Sequence, residues 1–130
     1  MTMDGPALSL VSNLFQKIVA EEAQLAFLKL LLTLSSDKRF SLLPVKHGNV
    51  TAIHISTSPT KRPYGDAEYA FSAAKDHLKW WFRSPAFENG LVEMNELSSS
   101  LSPLRRNKKG EATFDIFTLE DAGRVLECIQ

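Results

Sequence analysis

The chain has 130 residues, 44 % hydrophobic and 23 % charged, which excludes a charge-rich disordered polymer and predicts a single domain over 1–130 with its own core. Fifteen Lys and Arg balance fifteen Asp and Glu, so no overall field draws the protein onto nucleic acid or a membrane surface. Along the chain the balance shifts: residues 61–110 hold nine bases and six acids, a net +3, and residues 111–130 hold one Arg and five acids, a net −4.

The N-terminal Met1-Thr2-Met3-Asp4-Gly5-Pro6 has no basic leader ahead of an apolar run, so an intracellular, cytoplasmic protein is expected. Asp4 reads as a helix cap, with Pro6 in the first turn. Ala7, Leu10, Val11, Leu14, Phe15 and Ile18 recur at helical spacing. Glu21-Glu22 then precedes a second apolar block, Leu25, Phe27, Leu28, Leu30, Leu31, Leu32 and Leu34, with a bend near Ala20 left open. That block is apolar nearly all round, as in the buried centre of a domain or the face of a homo-oligomer. Its uninterrupted length falls far below the roughly 20 residues of a bilayer span, so no membrane partner is expected.

Phe40 to Lys46 and Val50 to Thr57 read as strands of a hairpin turned by His47-Gly48-Asn49, with Pro44 placing the first strand at an edge. Ser58 to Gly65, with two prolines and a glycine, reads as a loop. From a cap at Asp66, the stripe Ala67, Ala70, Phe71, Ala74, Leu78, Trp81 and Phe82 predicts a helix that Pro85 stops. Leu91, Met94, Leu97 and Leu101 suggest a shorter helix. Leu104–Arg106 and Ala112–Phe117 pair around Asn107-Lys108-Lys109-Gly110, and Thr118 opens a last helix with Asp121 at capping-box spacing. The fold class is α+β, in the order α-ββ-α-α-ββ-α: apolar N-terminal helices, two β-hairpins, and two to three further helices.

No catalytic, cofactor or metal site is expected. His47, His54 and His77 have no second ligand one helical turn away, and a phosphate loop would need more than the lone Gly65 before Asp66. Cys128 sits in an amphipathic segment without a nucleophile signature. An enzyme would need residues brought together by the fold, such as Asp115 with His54.

Two features stand out. Arg105, Arg106, Lys108 and Lys109 crowd one hairpin tip, where they suit a phosphate backbone or simply deter edge pairing. Lys79, Trp80 and Arg83 lie near the end of the predicted helix. Trp80 falls off its apolar stripe, so it is a contact anchor or is buried by another element. The expected function is a non-enzymatic interaction protein, of adaptor, inhibitor or regulatory-subunit type, with a protein partner and a possible homo-oligomer through the N-terminal helices. The alternative is nucleic-acid binding through the tip and the 79–83 face.

Overall fold

Residues 5–57 and 66–129 are described by a computed structural model. The expected cap at Asp4 and the loop Ser58 to Gly65 lie outside them. Two helices, α1 (Gly5–Lys17) and α2 (Glu21–Ser35), precede the strands β1 (Ser41–His47), β2 (Val50–Ser56), β3 (Tyr69–Ala73) and β4 (Leu78–Phe82). Short helices α3 (Ser84–Glu88) and α4 (Met94–Ser100) follow, then β5 (Arg105–Arg106), β6 (Ala112–Ile116) and α5 (Leu119–Cys128). The strands form one six-stranded sheet in the order β1-β2-β3-β4-β6-β5. Every neighbouring pair is antiparallel.

This is the expected α+β class in nearly the expected order, with one exchange. The predicted helix over 66–83 is the hairpin β3–β4. Its apolar residues satisfy two periods at once, and the period of two wins: Tyr69, Phe71, Leu78, Trp80 and Phe82 are buried on one face, with Ala73 beside them. In register, Phe71 lies opposite Trp80 and Tyr69 opposite Phe82. The Phe71 and Trp80 rings stack with centroids 5.7 Å apart, and Tyr69 meets Phe82 edge-on at 6.1 Å. Cross-strand aromatic pairs and two neighbouring ladders outweigh the local helix preference of the alanines. The four residues Ala74 to His77 turn the chain, closed by Ala74 N donating to His77 O at 2.8 Å.

The break between α1 and α2 falls at Ile18 to Ala20. Ala20 is extended, and Val19 N and Ala20 N donate to the Lys75 carbonyl at 2.7 and 3.1 Å, so the β3–β4 turn holds the linker just ahead of α2. Glu21 and Glu22 stand in its first turn, where acids complement the helix dipole. Pro44 lies on edge strand β1, and Gly48 turns β1 into β2 with φ +61°. Pro85 does end the preceding element, but it also occupies the first turn of α3. Glu93 caps α4 by accepting from Asn95 N and Glu96 N, and Thr118 Oγ1 caps α5 by accepting from Asp121 N at 3.1 Å.

All five described helices feed one core. Val11 and Leu14 of α1, Ala26, Phe27, Leu30 and Leu34 of α2, Ala86, Leu97, Val125 and Leu126 meet the face bearing Ile53, Ile55, Phe71, Trp80, Phe82 and Phe114. The other face, with Ala52, His54, Ala70, Ser72, Lys79, Trp81, Thr113 and Asp115, contributes nothing to that cluster.

Candidate functional site

The sequence-predicted residues separate into different environments. Trp80 is fully buried, stacked on Phe71 and tilted 64° against Phe82, and is therefore not a contact residue. The 79–83 helix face does not exist, because β4 sends alternate side chains to opposite faces. Lys79 and Trp81 share the face away from the core, with the Lys79 ammonium 5.1 Å from the Trp81 ring centroid. The indole on the outer face is thus that of Trp81, half-buried there, a residue the helical stripe had assigned to the interior.

Arg83 is half-buried. Its Nη1 donates to Ala67 O at 2.9 Å and its Nε lies 3.7 Å from Glu111 Oε2. Around it Ala52, His54, Ala70, Trp81 and Glu111 line a small pocket of about 170 Å³. Arg105 is exposed on β5 and reaches Asp115 Oδ2 at 3.6 Å, and Arg106 contacts Ser98 Oγ at 3.5 Å. Lys108 and Lys109 project from the β5–β6 turn, whose shape comes from Asn107: its Oδ1 accepts from Lys109 N at 2.9 Å and from Glu111 N at 3.0 Å. Gly110 completes that turn at φ +78°. Among the described residues no carboxylate pairs with Lys108 or Lys109. The expected tip is therefore present, yet half of its four cations are already engaged.

Asp115 and His54 lie on the same face but three strand spacings apart, roughly 14 Å, too far for joint acid–base work. Asp115 instead approaches His77, whose Nε2 is 4.0 Å from Asp115 Oδ1 while its Nδ1 lies 2.8 Å from Asp76 Oδ1. Hydrogen bonding to His77 holds the Asp76 carboxyl below its usual range. No group of three His, Cys, Asp or Glu side chains among the described residues is placed to hold a metal ion.

Two grooves adjoin the helices. Glu93, Glu96, Arg124, Glu127 and Cys128 line one of about 560 Å³ between α4 and α5, and burial pushes the Cys128 thiol up. Arg39, Phe40 and Tyr69 line the next, where burial, with the nearby Glu68 charge, pushes the Tyr69 phenol up to about 12.

A surface of different character runs along α2. Ala23, Ala26, Phe27, Leu30 and Leu34 bury the inner face, while Leu25, Leu28 and Leu32 remain 42 %, 39 % and 65 % exposed. At 3.6 residues per turn these three fall in one row on the side opposite the core. Val19, 74 % exposed, precedes the helix. Of the alternatives left open for the second apolar block, the buried centre of the domain holds for one stripe, and the opposite stripe has nothing over it among the described residues. The row Leu25, Leu28, Leu32 stood in the sequence at steps of three and four, masked by the leucines between.

The chain matches no family model, no curated protein and no solved structure. Function has to be read from these surfaces. None of the described helices is long and apolar enough to cross a membrane.

Proposed function

We propose that the protein is a non-catalytic interaction domain, of adaptor, inhibitor or regulatory-subunit type, that docks a protein partner on the outer face of α2. The observation that carries this reading is the second leucine row. A helix that has already buried one apolar face against a sheet gains nothing in the isolated fold from Leu25, Leu28 and Leu32 on the opposite face, because exposed apolar surface is hydrated at a free-energy cost. A contiguous apolar row with acidic residues at one end has the form of a helix-mediated contact. Catalysis is left out of the reading because His54 and Asp115 stand too far apart to share a reaction.

The test compares affinity capture by the wild type with capture by the triple variant Leu25→Gln, Leu28→Gln, Leu32→Gln. The reading expects a retained protein that the variant loses; identical retained sets from both would overturn it.

A second reading, nucleic-acid binding, draws support from Lys79, Trp81 and Arg105 on the face away from the core and from unpaired Lys108 and Lys109 at the tip. It ranks second because Arg83 and Arg105 each face a carboxylate. If Lys79, Arg105, Lys108 and Lys109 each neutralise a phosphate, affinity for single-stranded RNA or DNA falls with salt at a log–log slope of roughly −3 to −4. Fluorescence anisotropy measures that slope, and an affinity unchanged when all four become alanine removes the reading.

A further inference from the structure

We infer that the occupant of the α2 outer face is a second copy of this chain, packed with its own α2 antiparallel across a two-fold axis. The inference rests on the docking reading above and names its partner.

The leucine spacing is self-complementary. Leu25 and Leu32 stand at the ends of the exposed row and Leu28 near its middle. A two-fold axis passing beside Leu28 sets Leu25 of each copy against Leu32 of the other and brings the two Leu28 side chains together. Every apolar residue of the row then finds an apolar neighbour, as an isologous interface requires. One face of one helix supplies both halves.

The charges select the antiparallel direction. Glu21 and Glu22 are exposed in the first turn of α2, and beyond its last turn come exposed Ser36 and Lys38, with the intervening Asp37 neutralised by Arg39 at 2.7 Å so that the end carries a net positive charge. Antiparallel pairing places each acidic end beside Ser36 and Lys38 of the other copy and opposes the helix dipoles. Parallel pairing would set Glu21 and Glu22 against their own counterparts. The one cation within the helix does not obstruct the row, because the Lys29 ammonium lies over α5 beside Gly123. A net charge of zero leaves no long-range repulsion between copies.

The test needs no other partner: the purified 130-residue chain is examined by light scattering across a wide concentration range. The mass is expected to rise from 14.5 kDa toward twice that value, whereas Leu28→Glu stays monomeric with an unchanged circular dichroism spectrum. Direction is read in a Cys128→Ser background under mild oxidation. Leu28→Cys is expected to form a disulfide-linked dimer, Leu25→Cys alone to remain monomeric, and Leu25→Cys mixed with Leu32→Cys to link, since a disulfide needs Cβ atoms about 4 Å apart. A concentration-independent monomer, or Leu25→Cys linking to itself, overturns the inference. If the wild type is a monomer yet loses a captured protein on the triple glutamine substitution, self-pairing falls and the docking reading stands. If capture is also unaffected, both fall.

Discussion

Replacing Trp80 by alanine removes a fully buried indole from between Phe71 and Phe82 and leaves a cavity at the centre of the core, at a cost of about 3–5 kcal/mol. Among the described residues no acceptor reaches its Nε1, so part of the burial energy of this side chain is spent on an unpaired donor. Trp80→Phe, which deletes the donor and keeps a ring, is expected to cost far less than Trp80→Ala in urea denaturation. Trp81→Ala, on the opposite face, is expected within about 1 kcal/mol of wild type, as for most half-exposed positions. Equal losses at 80 and 81 would contradict the strand alternation. Tyr69 supplies a second residue-level test. Its folded-state pKa of about 12 exceeds the ordinary value of 10, so it contributes stability that is fully present below pH 10 and is lost as pH rises through 12. The difference in tyrosinate absorbance between wild type and Tyr69→Phe is expected to show a midpoint near 12; one near 10 would mean an exposed phenol.

At the scale of elements, legibility followed the uniqueness of each local signal. Gly48-Asn49 between two β-rich runs, and Thr118 three residues before Asp121, each admit one inexpensive conformation, and both the β1–β2 hairpin and α5 form where expected. Thr118→Ala should therefore cost about 1 kcal/mol, read as a shift in denaturation midpoint. An unchanged midpoint would show that Asp121, whose Oδ2 also accepts from Phe117 N at 2.9 Å, caps this end alone. The segment 67–83 was illegible for a definite reason. Ala67, Ala70, Phe71, Ala74, Leu78, Trp81 and Phe82 fit a helical period, while Tyr69, Phe71, Ala73 and Leu78, Trp80, Phe82 fit a strand period across a turn. Only the flanking strands β2 and β6, distant in sequence, decide between them by pairing with β3 and β4 on either side. The candidate site inherited that ambiguity: a helix puts Trp80 outside the apolar stripe, whereas a strand buries it and turns the half-buried Trp81 to the opposite face of the sheet.

At the scale of the whole molecule, one sheet face takes side chains from each of the five described helices, and the free energy of folding is concentrated there. The leucine row of α2 lies outside that core, and the account of function depends on its being surface in the isolated fold. The most direct test is the stability of the Leu25→Gln, Leu28→Gln, Leu32→Gln variant by urea denaturation at submicromolar protein, where association adds little. The account predicts a stability within about 1.5 kcal/mol of wild type, since exposed positions typically contribute about 0.5 kcal/mol each, whereas Leu30→Ala alone costs about 2–5 kcal/mol. A triple variant that loses as much as Leu30→Ala would place these leucines in the core and contradict the docking surface on α2.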